Sequence, residues 1–306
     1  MSKATIAVTG GTGFVGRTLL RLAVEQGYAV RALARAPQSG QPGVSWVEGA
    51  LDRPETLHAL AKGADAVIHV AGVVNAPDLA GFEAGNVGGT LAMVEAARAA
   101  GVERFVHISS LSAREPQLSA YGASKAKAET VVQASGLDWT IVRPPWVYGP
   151  GDADTLDMFK MARNGFVLLP PDGRISVIEV SDLARLLLAL VPSGETRAQL
   201  YEADDGKEGG WTHKAFGKAI GWAVGHNVTA VSVPAPLLRI AARLDRLFRG
   251  KGAKLTPDRV GYFCHPDWTV DPARRPPPRL WLPEVGTRDG LKATAAAYRE
   301  AGWLRI

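Results

Sequence analysis

Thr5-Ile6-Ala7-Val8 runs directly into Thr9-Gly10-Gly11-Thr12-Gly13-Phe14-Val15-Gly16, and the reading of this junction decides the fold. A short apolar strand, Ile6 to Val8, meets glycines at 10, 13 and 16 and then the amphipathic run Arg17 to Ala23. Gly10 permits a tight strand-to-helix turn. Gly13 carries no Cβ to hold a pyrophosphate away from the backbone, and Gly16 lets the new helix lie close to the strand. The helix begins with free N–H groups, at Phe14 and Val15, and aims the positive end of its dipole at bound phosphates. Three glycines alone mean little. Between a buried strand and a helix they mark a dinucleotide-binding turn.

Outward from this turn, strand-like and helix-like segments alternate. Strands are expected at Ala29–Leu33, Val44–Glu48, Ala66–Val70, Arg104–Ile108 and Trp139–Val142. Helices are expected at Pro54–Lys62, Gly88–Ala100 and Tyr121–Ala134, stopped by Gly63, Gly101 and Gly136. Single helices between strands imply an α/β fold, a doubly wound parallel Rossmann sheet flanked by helices. Ligands of such sheets lie beyond the carboxyl ends of the strands. Gly10, Ala71-Gly72, Ser110 and Arg143 all fall there. Residues 1–145 read as the dinucleotide-binding domain, with 175–190 packing back onto it. After Pro144 regularity fades. Pro145 to Pro171 is rich in glycine, proline and aromatic residues, a strand follows at Ile175–Ile178 and a helix at Ser181–Leu190. From Thr212 the elements are mainly helical, with one strand near Val228–Val233. Residues 146–306 read as a smaller, mainly helical substrate-binding lobe, and Arg274-Arg275-Pro276-Pro277-Pro278 as an extended surface connection.

Tyr121 and Lys125 stand four apart at the start of a helix, on one face. A phenol with pKa near ~10 is a poor base at neutral pH, but an adjacent ammonium or an oxidised nicotinamide favours the phenolate. Tyr121 then exchanges a proton with a substrate oxygen while hydride moves at the neighbouring carbon. Ser110, at the end of the preceding strand, is placed to hydrogen-bond the same oxygen.

Composition narrows the class. The chain has 306 residues, 46% hydrophobic and 21% charged, which suits a globular protein with ample core. Its net charge of +5 is dispersed and calls for no nucleic-acid partner. The single cysteine, Cys264, excludes an intrachain disulfide framework and fits a reducing cytoplasm. No signal peptide is expected, and the longest aliphatic run, Leu186 to Val191, is too short to cross a bilayer. Arg239, Arg243, Arg246 and Arg249 recur opposite Leu237, Ile240, Leu244 and Leu247, which reads as a solvated basic face over a core-facing apolar one. Membrane attachment is therefore not expected. Cys264-His265-Pro266-Asp267 lacks a matching second cluster, so no metal is expected. His69 and His107 read as packing residues of apolar strands and His213 as a surface residue.

Together these motifs resemble the extended branch of the short-chain dehydrogenase/reductase superfamily, from Thr5 to about Leu190. They are the Thr9–Gly16 loop, His69-Val70-Ala71-Gly72, Asn86-Val87-Gly88-Gly89-Thr90, Ile108-Ser109-Ser110, Tyr121 to Lys125, Arg143-Pro144, Val147-Tyr148-Gly149-Pro150 and Val180-Ser181-Asp182. The resemblance implies a nicotinamide cofactor and a Ser110, Tyr121, Lys125 catalytic set. It further implies that Lys125 grips the nicotinamide ribose, that Pro144 and Pro145 lie near the carboxamide, and that Asn86 lies close to the cofactor. Ala50 stands where relatives often place an aspartate beside the adenine, so Leu51-Asp52 are expected to supply that contact. The order Val233-Pro234, Leu255 to Val260, Asp289-Gly290-Leu291 and Tyr298 to Trp303 is similar to the dihydroflavonol reductase and 3β-hydroxysteroid dehydrogenase group, which acts on bulky alcohols and ketones.

Cofactor choice turns on the end of the second strand, where NAD enzymes commonly carry an acid for the ribose hydroxyls. Here Ala34 is followed by Arg35, with Arg31 upstream, so the charge suits a 2′-phosphate. NADP is the expected cofactor, ahead of NAD. The expected activity interconverts a secondary alcohol and a ketone on a bulky small-molecule substrate, in a monomer or homodimer. Two competing readings are a nucleotide-sugar epimerase or dehydratase with tightly bound NAD, and a non-catalytic nucleotide-binding scaffold or redox sensor.

Overall fold

In the computed structural model, which describes residues 3–192, 194–253 and 255–304, strand β1 (Lys3–Thr9) lies inside a seven-stranded sheet. The others are β2 (Tyr28–Ala34), β3 (Val44–Glu48), β4 (Ala66–His69), β5 (Arg104–Ile108), β6 (Asp138–Arg143) and β7 (Gln199–Glu202). Their order is β7-β6-β5-β4-β1-β2-β3, and every neighbouring pair is parallel. The winding reverses between β1 and β4, which sets the ligand crevice at their carboxyl ends. Ala7, Val8, Val67, Ile68, Phe105 and Val106 are buried on consecutive positions, as a sheet covered on both faces requires.

Four helices frame these ends: α1 (Phe14–Glu25), α2 (Pro54–Ala61), α3 (Gly89–Ala99) and α4 (Ala120–Gln133). Leu57, Leu60, Met93, Val94 and Val132 from three of them pack with Ala7, Val67, Phe105 and Ile141 of the sheet into one core. The expected strands and helices of the first half are all present, with ends moved by up to three residues. A short π-helical turn, Glu83–Gly88, precedes α3.

Later in the chain the expectations need correction. Strand β7 has no sequence signal: it is four residues long with polar ends, and its pairing with β6 alone makes it a strand. The Ile175–Ile178 strand breaks at Ser176, whose hydroxyl turns aside to Asp204 Oδ2 at 2.7 Å. The irregular Pro145–Pro171 stretch holds a strand at Trp146–Tyr148, a helix at Leu156–Arg163 and a strand at Phe166–Leu169. Arg275 is not a plain surface residue, because it pairs with the buried Asp204 at 2.9 Å. His213 is buried, with Nδ1 2.8 Å from the Pro171 carbonyl oxygen, and burial pushes its pKa down. The apolar stripe of the helix Ala235–Arg249 faces outward rather than into a core, since the positions that pack inward are Ala235, Leu238, Ala242 and Asp245.

The chain divides into two compact units. One comprises residues up to Pro144 together with Leu183–Glu202 and Pro276–Trp281. The other comprises Pro145–Asp182, Ala203–Arg275 and the chain from Leu282, and has its own core around Tyr148, Phe159, Phe216, Ile220, Leu291 and Tyr298.

Candidate active site

The glycine loop closes on itself through Gly13 N donating to Gly10 O at 3.0 Å. Gly10 sits at φ +74, where side chains are strained, and a methyl group there would lie 2.7 Å from Ala71 N. At Gly16 a methyl group would lie 2.0 Å from Gly10 O. The close approach is thus of α1 to its own loop, a more local fit than helix against strand. Gly13 differs: a methyl group would meet only Gly10 O, at 3.3 Å. The space before Gly13 is open, and the first turn of α1 carries neither a side-chain cap nor an acidic residue. Its amides are left for an anion, so the residues present fit a dinucleotide pyrophosphate.

From this loop a continuous line of contacts crosses four strand ends. Thr9 Oγ1 lies 2.8 Å from His69 Nδ1 and accepts from Ala71 N at 3.2 Å, joining the ends of β1 and β4. A methyl group on Gly72 would sit 3.0 Å from Asn86 Oδ1 and 3.7 Å from Lys125 Nζ. Asn86 is itself committed: Oδ1 accepts from Val73 N at 2.7 Å, while Nδ2 donates to Val73 O at 3.0 Å and to Ser124 Oγ at 2.9 Å. It therefore pins the loop after β4 to the N-terminal half of α4. Lys125 Nζ donates to the Ile108 carbonyl at the end of β5, at 2.6 Å. Ser110 follows two residues on, its Oγ accepting from Ser112 N at 3.2 Å. Leu111 N donates to Pro144 O at 2.9 Å, which brings in the end of β6.

Tyr121 lies in the first turn of α4, where Ser119 caps the helix by accepting from Gly122 N at 2.9 Å. Its ring is 6.0 Å from that of Phe82. Lys125, one turn on, is buried. Burial pushes its pKa down to about 8, against the opposing pull of Glu129. His69 and His107 stack with ring centroids 5.5 Å apart, and burial with the Lys125 charge pushes both down, His69 to about 3. Both imidazoles are neutral at ordinary pH, so Lys125 is the cation of this buried group.

The remaining expected residues lie beside this line. Arg35 is exposed immediately after β2. Ala34 O accepts from Gly49 N at 2.9 Å, which holds the turn carrying Ala50, Leu51 and Asp52 next to that strand end. Asp52 is exposed, and Leu51 packs against α3, where a methyl group on Gly89 would lie 2.6 Å from its Cδ1. Arg31 does not accompany Arg35, because its guanidinium donates to the Ala59 and Lys62 carbonyls at the end of α2. Pro145 begins the second unit.

Two further side chains, with no motif of their own in the sequence, shape the site. Glu129 is a buried carboxylate that accepts from Ser109 Oγ at 2.5 Å and from Arg143 Nε and Nη2 at 2.8 and 2.6 Å. It locks the Ser109-Ser110 strand end, α4 and β6 together. Its spacing, one turn beyond Lys125 on the same helix face, was the available signal. Arg17 folds back to donate to Thr12 O at 2.8 Å, adding a cation at the rim of the glycine loop.

Comparison with known proteins agrees with this architecture. Residues 10–191 match the family model described as NAD(P)H-binding. A ceramide reductase of Caulobacter vibrioides is 37% identical, over 99% of this chain and 97% of that protein. A 2-alkyl-3-oxoalkanoate reductase of Stenotrophomonas maltophilia is 31% identical, over 95% of this chain and 99% of its own length. The solved structure of the Bordetella bronchiseptica enzyme WbmG, in complex with NAD and UDP, superimposes with a TM-score of 0.76 at 19% identity, over 99% of this chain and 97% of that one. That likeness is one of fold. The glycine turn, the strand order and the whole-length kinship with reductases together make this chain a member of the extended short-chain dehydrogenase/reductase family, an NAD(P)-dependent family of oxidoreductases and epimerases.

Proposed function

We propose that this protein is an NADP(H)-dependent reductase that interconverts a ketone and a secondary alcohol on a long-chain, lipid-like substrate, using Ser110, Tyr121 and Lys125. The observation that carries the reading is the buried Lys125, one helical turn from Tyr121 and tied to the same end of β5 that leads to Ser110. Bound NADPH supplies the hydride. Tyr121 delivers the proton to the substrate oxygen, and its charge after transfer is favoured by the neighbouring ammonium. Ser110 holds that oxygen and opposes its developing charge. The carbonyl of Ile108 holds Lys125 in place, and the Glu129 cluster fixes the strand end that presents Ser110. Gly10, Gly13, Phe14, Val15, Gly16, Ala71, Gly72, Asn86, Leu51, Asp52, Pro144 and Pro145 are assigned to the nucleotide, and Arg35 to its 2′-phosphate.

The substrate class rests on kinship. The two reductases that match nearly the whole chain are named for a ceramide and for a 2-alkyl-3-oxoalkanoate. Both names describe alkyl chains that carry a polar head. We therefore assign a ketone on an alkyl chain, close to an amide or carboxyl group, and the second unit, Pro145–Asp182, Ala203–Arg275 and the chain from Leu282, as the part that accepts it. The test is NADPH consumption with long-chain 3-oxo amides and 3-oxoalkanoates. Turnover of either class supports the reading. Failure with both, together with retained NAD and interconversion of sugar nucleotides without net NADPH loss, would replace it with the epimerase.

A further inference from the structure

We propose that the helix Ala235–Arg249 is an interfacial anchor that lays this protein on the surface of an anionic lipid bilayer. Leu237, Ile240, Leu244, Leu247 and Phe248 form one continuous stripe and are 55, 52, 49, 76 and 81% exposed. A row of large apolar side chains this open is unusual on a helix whose opposite face is already packed. That opposite face is held: Ala242 is buried, Asp245 accepts from Leu255 N at 2.9 Å, and the helix packs against Pro257–Phe263. The outward stripe is therefore not a core face awaiting the rest of its own unit.

Charge names the partner. The helix carries four arginines against a single aspartate. Arg239, Arg243 and Arg246 run along one edge of the apolar stripe and are exposed, while Arg249 pairs with Asp245 at 3.2 Å. Leucine and phenylalanine on one side with arginine along the polar edge suit a helix lying in the plane of an anionic headgroup layer. At 15 residues the helix spans only ~22 Å, and no helix among the described residues is long and apolar enough to cross a membrane. It lies on the bilayer; it does not cross it.

The strand feeding the helix has the same character. Thr229–Ser232 pairs with Phe166–Leu169, and on the exposed face of this ribbon stand Phe166, Leu168 and Val231, the last two register partners. Val233-Pro234 then leads into the helix, so apolar exposure continues from ribbon to helix along the chain. Lipid docking is independent of the redox reading. Only the corollary that the ketone is drawn from the same bilayer rests on it.

The test is flotation of the purified full-length chain, without nucleotide or ketone, with vesicles of phosphatidylglycerol and phosphatidylethanolamine or of phosphatidylcholine alone. Binding is expected to the anionic vesicles and to weaken as salt rises. Each of Arg239→Gln, Arg243→Gln and Arg246→Gln should weaken partition about 5-fold, the worth of one basic residue at such a surface. The pair Leu247→Asp with Phe248→Asp should weaken it at least ~10-fold, because both side chains lose their burial in the acyl boundary. All five positions are exposed, so melting temperatures should hold, and the arginine series provides a test even if the acidic pair misfolds. Absence of the wild type from anionic vesicles would overturn the proposal, as would binding indifferent to salt and to all of these substitutions. A dimer in sedimentation that becomes a monomer in the acidic pair would also overturn it, assigning the stripe to a second copy.

Discussion

Lys125 is a lysine kept in a place where its charge is costly. Its ammonium is buried, donates to the Ile108 carbonyl, and has its pKa pushed down to about 8, first by burial and against the favourable pull of Glu129. Below pH 8 the folded chain carries that buried charge, whereas the unfolded chain titrates near 10.5. Between these values the unfolded state binds more protons, so the stability contributed by Lys125 rises with pH across the window. Lys125→Met removes the cost. The melting temperature of the variant, relative to wild type, should be most favourable near pH 7 and should lose that advantage towards pH 10. A difference independent of pH would mean that Lys125 titrates like an exposed lysine. Tyr121 has the complementary role. Tyr121→Phe deletes the proton donor and spares the nucleotide contacts, so turnover should fall roughly 10²- to 10⁴-fold while cofactor affinity stays near wild type. Wild-type turnover in that variant would remove Tyr121 from the mechanism.

Between strand β1 and helix α1 the three glycines do different work, and the difference is measurable. Gly16 faces Gly10 O at a distance no Cβ tolerates, so Gly16→Ala should destabilise the fold itself by forcing loop and helix apart. Gly13 faces open space apart from that same oxygen at 3.3 Å. Gly13→Val should therefore yield a folded protein whose dinucleotide affinity is strongly reduced, because the branched side chain fills the space the pyrophosphate needs. Fluorescence titration with cofactor, alongside thermal melts of both variants, separates the two effects. An unchanged dissociation constant for folded Gly13→Val would make the loop structural only. On the other side of the sheet switch, Glu129 joins Ser109 of the β5 end, α4 and Arg143 of β6 through hydrogen bonds of 2.5 to 2.8 Å. It is a brace between elements.

For the molecule as a whole, a cofactor that binds only the folded state raises stability by mass action, about 2.7 kcal/mol at a hundredfold excess over the dissociation constant. Arg35 is the exposed cation at the end of β2, and Arg31 is already spent on the end of α2. NADPH should therefore raise the melting temperature more than the same concentration of NADH. In Arg35→Ala the difference should collapse, with NADPH affinity falling by about 1.5–3 kcal/mol, roughly 10- to 150-fold. The effect should shrink with salt, because Arg35 is exposed. Equal losses for both nucleotides would indicate general damage, and a wild type that melts higher with NADH would overturn the NADP assignment.

The Rossmann sheet was legible in the chain because its evidence is local. A buried parallel strand is a run of apolar residues, a glycine turn is a spacing, and a helix stop is a glycine, so β1 to β6 and their helices could be placed from neighbours in sequence. The positions of Gly10, Ser110 and Tyr121 were legible for the same reason, each lying at the end of such an element, and that of Lys125 from its spacing of one helical turn beyond Tyr121. Tertiary structure alone decided matters in which partners are remote in the chain. Strand β7 exists through its pairing with β6, Arg275 finds Asp204 across 71 residues, and Arg31 and Arg35, alike in sequence, part company because only one reaches the end of α2. The helix Ala235–Arg249 shows the limit most clearly. Its amphipathic pattern is local and legible in the sequence, but the expected core-facing stripe turns outward, because which face turns inward depends on the residues it packs against. Periodicity reveals that a helix has two faces, and only its neighbours in space determine which one meets water, protein or lipid.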